Sequence, residues 1–263
     1  MIAVVRDPDG NNDRSRLPRM RVRPVATVVV LLAGALAAWI VAVQRMRGMD
    51  AGPGTDLGGL GWFLGIWVTM TAAMMLPSAA PMVLVYAHFF RSRRTLTFVG
   101  GYLVAWTLYG LAAYGAYRLV AGAGFGWLGW QRGGAYVAGG AIAAAGIYQL
   151  TPLKDACLRH CRSPLGYIVR GREHGALRMG TEHGLFCVGC CWGLMLALFA
   201  LGVMSLFWTA LVAAAIFAEK VLPHGQRVAR VLALALVVLG ALVAFTPGHV
   251  PQLTQPAPME MSP

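Results

Sequence analysis

The sequence predicts an all-α, polytopic transmembrane helix bundle of about seven spans, with the N-terminus inside and the C-terminus outside. Three observations predict it. Of the 263 residues, 58% are hydrophobic and only 12% charged, against roughly 25% charged in an ordinary soluble domain. Mean hydropathy is +0.63, and the apolar residues fall in long runs rather than in amphipathic stripes. That pattern excludes a soluble globular enzyme, a disordered chain and a coiled coil. Finally, the basic residues gather on alternate connections between the apolar runs.

A crossing needs about 20 mainly apolar residues, and seven stretches qualify: 25–43, 60–90, 96–120, 133–150, 184–201, 206–222 and 228–245. The second is too long for one straight crossing and contains Pro77 and Pro81, so it is expected to kink, tilt or extend past the bilayer. A very short link between the fifth and sixth implies an antiparallel hairpin. The N-terminal tail, the connections after the second and fourth spans, and the segment 220–230 around the sixth connection carry 18 of the 22 Lys and Arg residues. Positive charge marks the cytoplasmic side, so these four segments are expected inside. The net charge of +12 is then topological, and no nucleic-acid partner is expected. An Arg-rich start, an apolar run and Ala35-Leu36-Ala37 imitate a secretory signal with its cleavage site. The charged lead is long for such a signal and favours an uncleaved anchor; cleavage would leave six spans. The chain divides into a basic cytoplasmic tail (1–24), a transmembrane helical domain (25–246) and a short Pro-rich outer tail (247–263).

Chemistry is concentrated in the cysteines. Cys157 and Cys161 follow the fourth span, and Cys187, Cys190 and Cys191 open the fifth. Consecutive spans alternate direction, so all five thiols belong to one cytoplasmic layer, a reducing compartment where stable disulfides are disfavoured. Residues three and four apart share a helix face. Cys157/Cys161 and Cys187/Cys191 are such pairs, with Cys190 beside the second. Two pairs meeting at a helix–loop–helix junction offer two to four thiolates to one soft ion: Cu(I) by ligand softness, with Zn(II) possible. Against this stands the role of small apolar packing residue, common for membrane cysteines. His160 and His183 stand close enough in sequence to complete a site. Met70, Met74 and Met75, near two prolines that free backbone carbonyls, could form a thioether step at mid-depth; gap-filling packing is the alternative. Glu219 lies within an apolar run beside Lys220, where a functional role and an interfacial ion pair are both open. Nucleotide-binding, hydrolase and zinc-protease motifs are absent, and no enzymatic activity is expected.

Met74-Met75-Leu76-Pro77 with Pro81-Met82, Cys157-x-x-x-Cys161-x-x-Pro164, Cys187-x-x-Cys190-Cys191-Trp192 and Glu219-Lys220 together resemble a bacterial integral membrane family described as predicted metal-binding and otherwise of unknown function. The resemblance runs over about 60–245 and implies a bound metal in a multi-pass protein of the bacterial cytoplasmic (inner) membrane. The leading expectation is a protein that binds and transports or relays a soft metal, Cu(I) favoured. Its surroundings are the lipid bilayer, the metal ion and a metallochaperone or partner membrane protein. The first alternative is a membrane thiol-redox or assembly factor using the Cys157/Cys161 pair. The second is a structural or partner-binding bundle with unreactive thiols.

Overall fold

The computed structural model describes residues 22–46, 57–90, 92–123, 133–163, 168, 175–203 and 205–250. The described residues fold into eight α-helices and no strand. They are α1 (Val22–Met46), α2 (Leu60–Phe89), α3 (Ser92–Gly122), α4 (Ala135–Tyr148), α5 (Pro152–Arg162), α6 (Ala176–Leu201), α7 (Leu206–Val221) and α8 (Gly225–Phe245), with a 3₁₀ turn at Pro247–His249. Most of the expected tails, 1–21 and 251–263, lie outside the described residues. Residues 247–250 do not trail away from the bundle, since Val250 is buried in the central apolar cluster.

Five helices are long and apolar enough to cross a membrane: α1 from Ala26 to Met46, then α2, α3, α6 and α8. The other two expected crossings form α4 and α7, of 14 and 16 residues. At 1.5 Å per residue they reach only about 21 and 24 Å, short of a hydrocarbon core about 30 Å thick. Side chains such as Val29, Val30, Leu36, Leu108, Val231 and Leu234 point outward, as lipid-facing positions require.

Two expectations on element boundaries need correction. The fifth expected span begins at Ala176 rather than at 184, because 176–183 carries on the helix with Arg178 bonded to Glu182 one turn away at 2.8 Å. His183 and Glu182 are therefore helical, and the cysteines sit about three turns inside α6 rather than in its first turns. The second span is one uninterrupted helix of 30 residues through Pro77 and Pro81. Its length of about 45 Å agrees with tilt or extension past the bilayer.

Small residues set the packing. Among membrane helices, association depends on close backbone approach rather than on a hydrophobic drive. A Cβ on Gly101, Gly180 or Gly184 would strike the facing helix across the α3–α6 contact, and Gly139, Gly146 and Gly240 play the same part between α4 and α8. Trp67 of α2 anchors the centre: its indole N–H donates to the Trp106 carbonyl at 2.9 Å, and its ring stacks on Phe199 of α6 at 5.4 Å. Gly202, at φ 109°, ends α6 in a conformation L side chains avoid and starts the tight return into α7, as the expected hairpin demands.

Candidate metal centre

The centre is built from α6 outward. Helical spacing puts Cys187, Cys190 and Cys191 on the buried side of α6, where their sulfurs all lie within 4.8 Å of one another. The Cys190 and Cys191 sulfurs are 3.3 Å apart, and the Cys190 thiol reaches the Cys187 carbonyl at 3.2 Å. All five cysteines are free thiols.

The second cysteine pair arrives on α5, the helix that the expected helix–loop–helix junction requires. Thr151 caps it, accepting from the Lys154 amide at 3.3 Å, and Pro152 opens its first turn, both favoured at a helix start. Lys154, Leu158 and Cys161 then fall on one face at helical spacing, with Lys154 and Leu158 buried. Cys161 projects into the centre, its sulfur 3.8 Å from that of Cys190. Cys157, one turn back, does not follow it. Its sulfur packs over Gly189, where a Cβ would come within 2.8 Å of it. Burial pushes the Cys157 thiol above its ordinary pKa, with the Lys154 ammonium pulling the other way. The sequence-expected pair is thus split: Cys161 joins the α6 sulfurs, and Cys157 faces bare backbone.

Three polar residues that sequence reasoning did not place at the site frame it. The Lys220 ammonium of α7 lies 2.8 Å from the Cys187 sulfur and 3.2 Å from the Ser78 hydroxyl of α2. The Tyr102 hydroxyl of α3 meets the same sulfur at 2.9 Å. Ser78 in turn donates to the Met75 carbonyl at 2.9 Å. Behind α6, Lys154 donates to the Cys190 carbonyl and to Glu219, each at 2.6 Å, while Gln149 donates to the other Glu219 oxygen at 2.8 Å. Both ion-pair side chains are 0% exposed. Arg162, at the end of α5, donates to the Glu219 carbonyl at 2.7 Å and to the Pro223 carbonyl at 3.0 Å. Glu219 is thus ion-paired, with Lys154 of α5 rather than with its neighbour Lys220. Lys220 was legible only as its neighbour, and nothing in the sequence singles out Tyr102.

Both histidines sit against rings. His160 stacks on Phe186 with centroids 3.8 Å apart, and buried His183 lies 6.0 Å from Phe98 and 5.9 Å from Tyr102. Met70, Met74 and Met75 are buried in the same apolar cluster as the three α6 cysteines and Met195. The register locates them. Ser78 is level with Cys187 through Lys220, and Trp67 is level with Phe199. With α2 and α6 antiparallel, Met74 then falls at the height of Cys191 and Met70 at that of Met195.

Fold and site together define a membrane helix bundle with a buried thiol cluster suited to a soft metal ion. The model of the PpoB2 copper chaperone family matches residues 64–243, which is more than half of the chain, and the chain belongs to that family. The match covers almost the stretch over which the sequence resembles the predicted metal-binding family, and its description names the metal. No curated protein and no solved structure matches the chain. The family description points to copper, and the thiol cluster is a candidate place for a metal ion of that kind.

Proposed function

We propose that this protein takes up Cu(I) within the thiol cluster formed by Cys187, Cys190, Cys191 and Cys161 and relays it along the thioethers of Met74, Met75 and Met70 across the cytoplasmic membrane of a bacterium. The observation that carries the reading is the convergence of four sulfurs from two helices, three of them buried and mutually within 4.8 Å and the fourth, partly buried, 3.8 Å from Cys190. Neutral sulfur costs little at membrane depth, whereas charged oxygen ligands would be expensive, and thiolate with thioether is a donor set that selects Cu(I) over harder ions. The positive-inside count supports an α5 end that faces the cytoplasm; in this reading copper enters from a cytoplasmic donor and leaves toward an outer acceptor, a metallochaperone or membrane partner at either end. α4 and α7 complete the seven-span topology as short crossings. The reading involves binding and ligand exchange, with no catalytic step.

The thiol-redox alternative draws less support, because Cys157 and Cys161 do not face each other: one packs on Gly189 and the other on Cys190. Zinc remains the competing ion, since a four-thiolate set suits it. The test is purification in detergent without oxygen, loading with Cu(I) or Zn(II), and elemental analysis of the parent, of Cys187→Ser, and of the variant with Cys161, Cys190 and Cys191 all changed to Ser. Copper retained by the parent and lost from the variants supports the reading. Zinc retention alone would make the cluster a structural or sensing site, and a reversible disulfide without metal would favour the redox factor.

A further inference from the structure

Lys220 is a cation buried to 9% exposure within a helix bundle, where an uncompensated charge is costly. The carboxylate beside it in sequence is already engaged, because Glu219 turns to Lys154 and Gln149. Its own acceptors are the Cys187 sulfur at 2.8 Å and the Ser78 hydroxyl at 3.2 Å. The group left to carry the matching negative charge is sulfur. Tyr102, at 2.9 Å, supports the same sulfur with a dipole.

We propose that Lys220 is the built-in counter-charge of the copper-loaded thiol centre and fixes how many thiolates hold the ion. The inference rests on the copper reading above. Cu(I) bound by two thiolates carries one net negative charge, which one ammonium balances. A third thiolate would make the charge minus two. The other nearby ammonium, Lys154, cannot answer it, since Glu219 already neutralises it at 2.6 Å. Low dielectric penalises the excess heavily. The balanced centre therefore uses Cys187, the sulfur Lys220 touches, and one of Cys161, Cys190 and Cys191. The remaining thiols stay uncoordinated beside it.

The experiment uses the full chain in detergent under anaerobic conditions. Cu(I) affinity is measured by competition against bicinchoninate, sulfur coordination by X-ray absorption at the copper edge, and folding by circular dichroism. The variants are Lys220→Gln, which keeps a hydrogen-bond donor without the charge, and Lys220→Arg, which keeps the charge. The parent is expected to show two sulfur neighbours. Lys220→Gln should bind Cu(I) roughly tenfold more weakly, the scale of turning a charge-assisted hydrogen bond into a neutral one, and Lys220→Arg should recover most of that loss. Three or four sulfurs in the parent, or parent-like affinity in folded Lys220→Gln, overturns the proposal while leaving copper binding intact. A parent that takes up no Cu(I) overturns the copper reading itself. Should Lys220→Gln fail to fold, the sulfur count of the parent decides alone.

Discussion

Replacing Glu219 by Ala strikes the joint on which the fourth sulfur depends. The carboxylate is wholly buried, holds Lys154 at 2.6 Å and accepts from Gln149 at 2.8 Å. Its loss strands an ammonium with only the Cys190 carbonyl and leaves the Gln149 amide without its acceptor. Removing one member of a buried ion pair costs about 3–5 kcal/mol. A single interhelical hydrogen bond in a membrane protein averages only about 0.6 kcal/mol, so the stranded charge dominates. The measurement is reversible unfolding in mixed micelles with increasing SDS, followed by circular dichroism. Glu219→Ala should lose about 3–5 kcal/mol. The double variant Lys154→Met with Glu219→Leu, which removes both charges, should return to within about 1 kcal/mol of the parent, as replaced buried pairs often do. Because Lys154 docks α5, Glu219→Ala should also weaken copper binding through Cys161. A single variant as stable as the parent would refute the reasoning, and α5 would have to be held by Leu158 and Arg162 instead.

Three further outcomes follow from the geometry. Gly184→Ala places a Cβ 2.6 Å from that of Ala105 and 2.9 Å from the Tyr102 carbonyl; overpacking of this kind costs about 1–3 kcal/mol, so a lowered melting temperature is expected. Cys187→Ser should lose most of the Cu(I) retained after desalting, because it removes the sulfur that Lys220 and Tyr102 touch, whereas Cys157→Ser should retain it; equal loss would place Cys157 among the ligands. Met74→Leu combined with Met75→Leu keeps volume and apolarity, so stability should change by less than about 1.5 kcal/mol and cysteine-bound copper should persist, while copper movement across proteoliposomes should fall. Unchanged movement would make the methionines packing.

Much of the fold was legible because a membrane imposes a simple code. Apolar run length located α1, α2, α3 and α8 within a few residues, and the i, i+4 spacing of Cys157 and Cys161 announced a helix, which α5 is. Where the code failed, polarity was the cause. The start of α6 carries Arg178, Glu182 and His183, residues that read as loop by hydropathy yet are helical because each finds a partner or a ring. Spacing alone also could not separate Cys157 from Cys161. That distinction depends on Gly189, a residue on another helix whose missing side chain gives Cys157 a separate seat. Lys220 was hidden for the same reason: its meaning lies across helices, in a sulfur 33 positions away.

The depth of the centre explains why α5 exists. Cys187 is eleven residues into α6, and Ser78, level with it, is eleven residues from the end of α2. At 1.5 Å per residue both lie roughly 16 Å inside the helix ends on that side. A ligand on an ordinary surface loop could not reach so far. A short helix folded into the bundle can, but only if its polar backbone ends and its charges are answered there. The Thr151 cap answers the first turn, Glu219 answers Lys154, and the carbonyls of Glu219 and Pro223 answer Arg162. Each of these contacts serves to hold Cys161 against Cys190. From that level the register carries sulfur inward, to Met74 at the height of Cys191 and Met70 at that of Met195, which is the order of ligands the proposed relay requires.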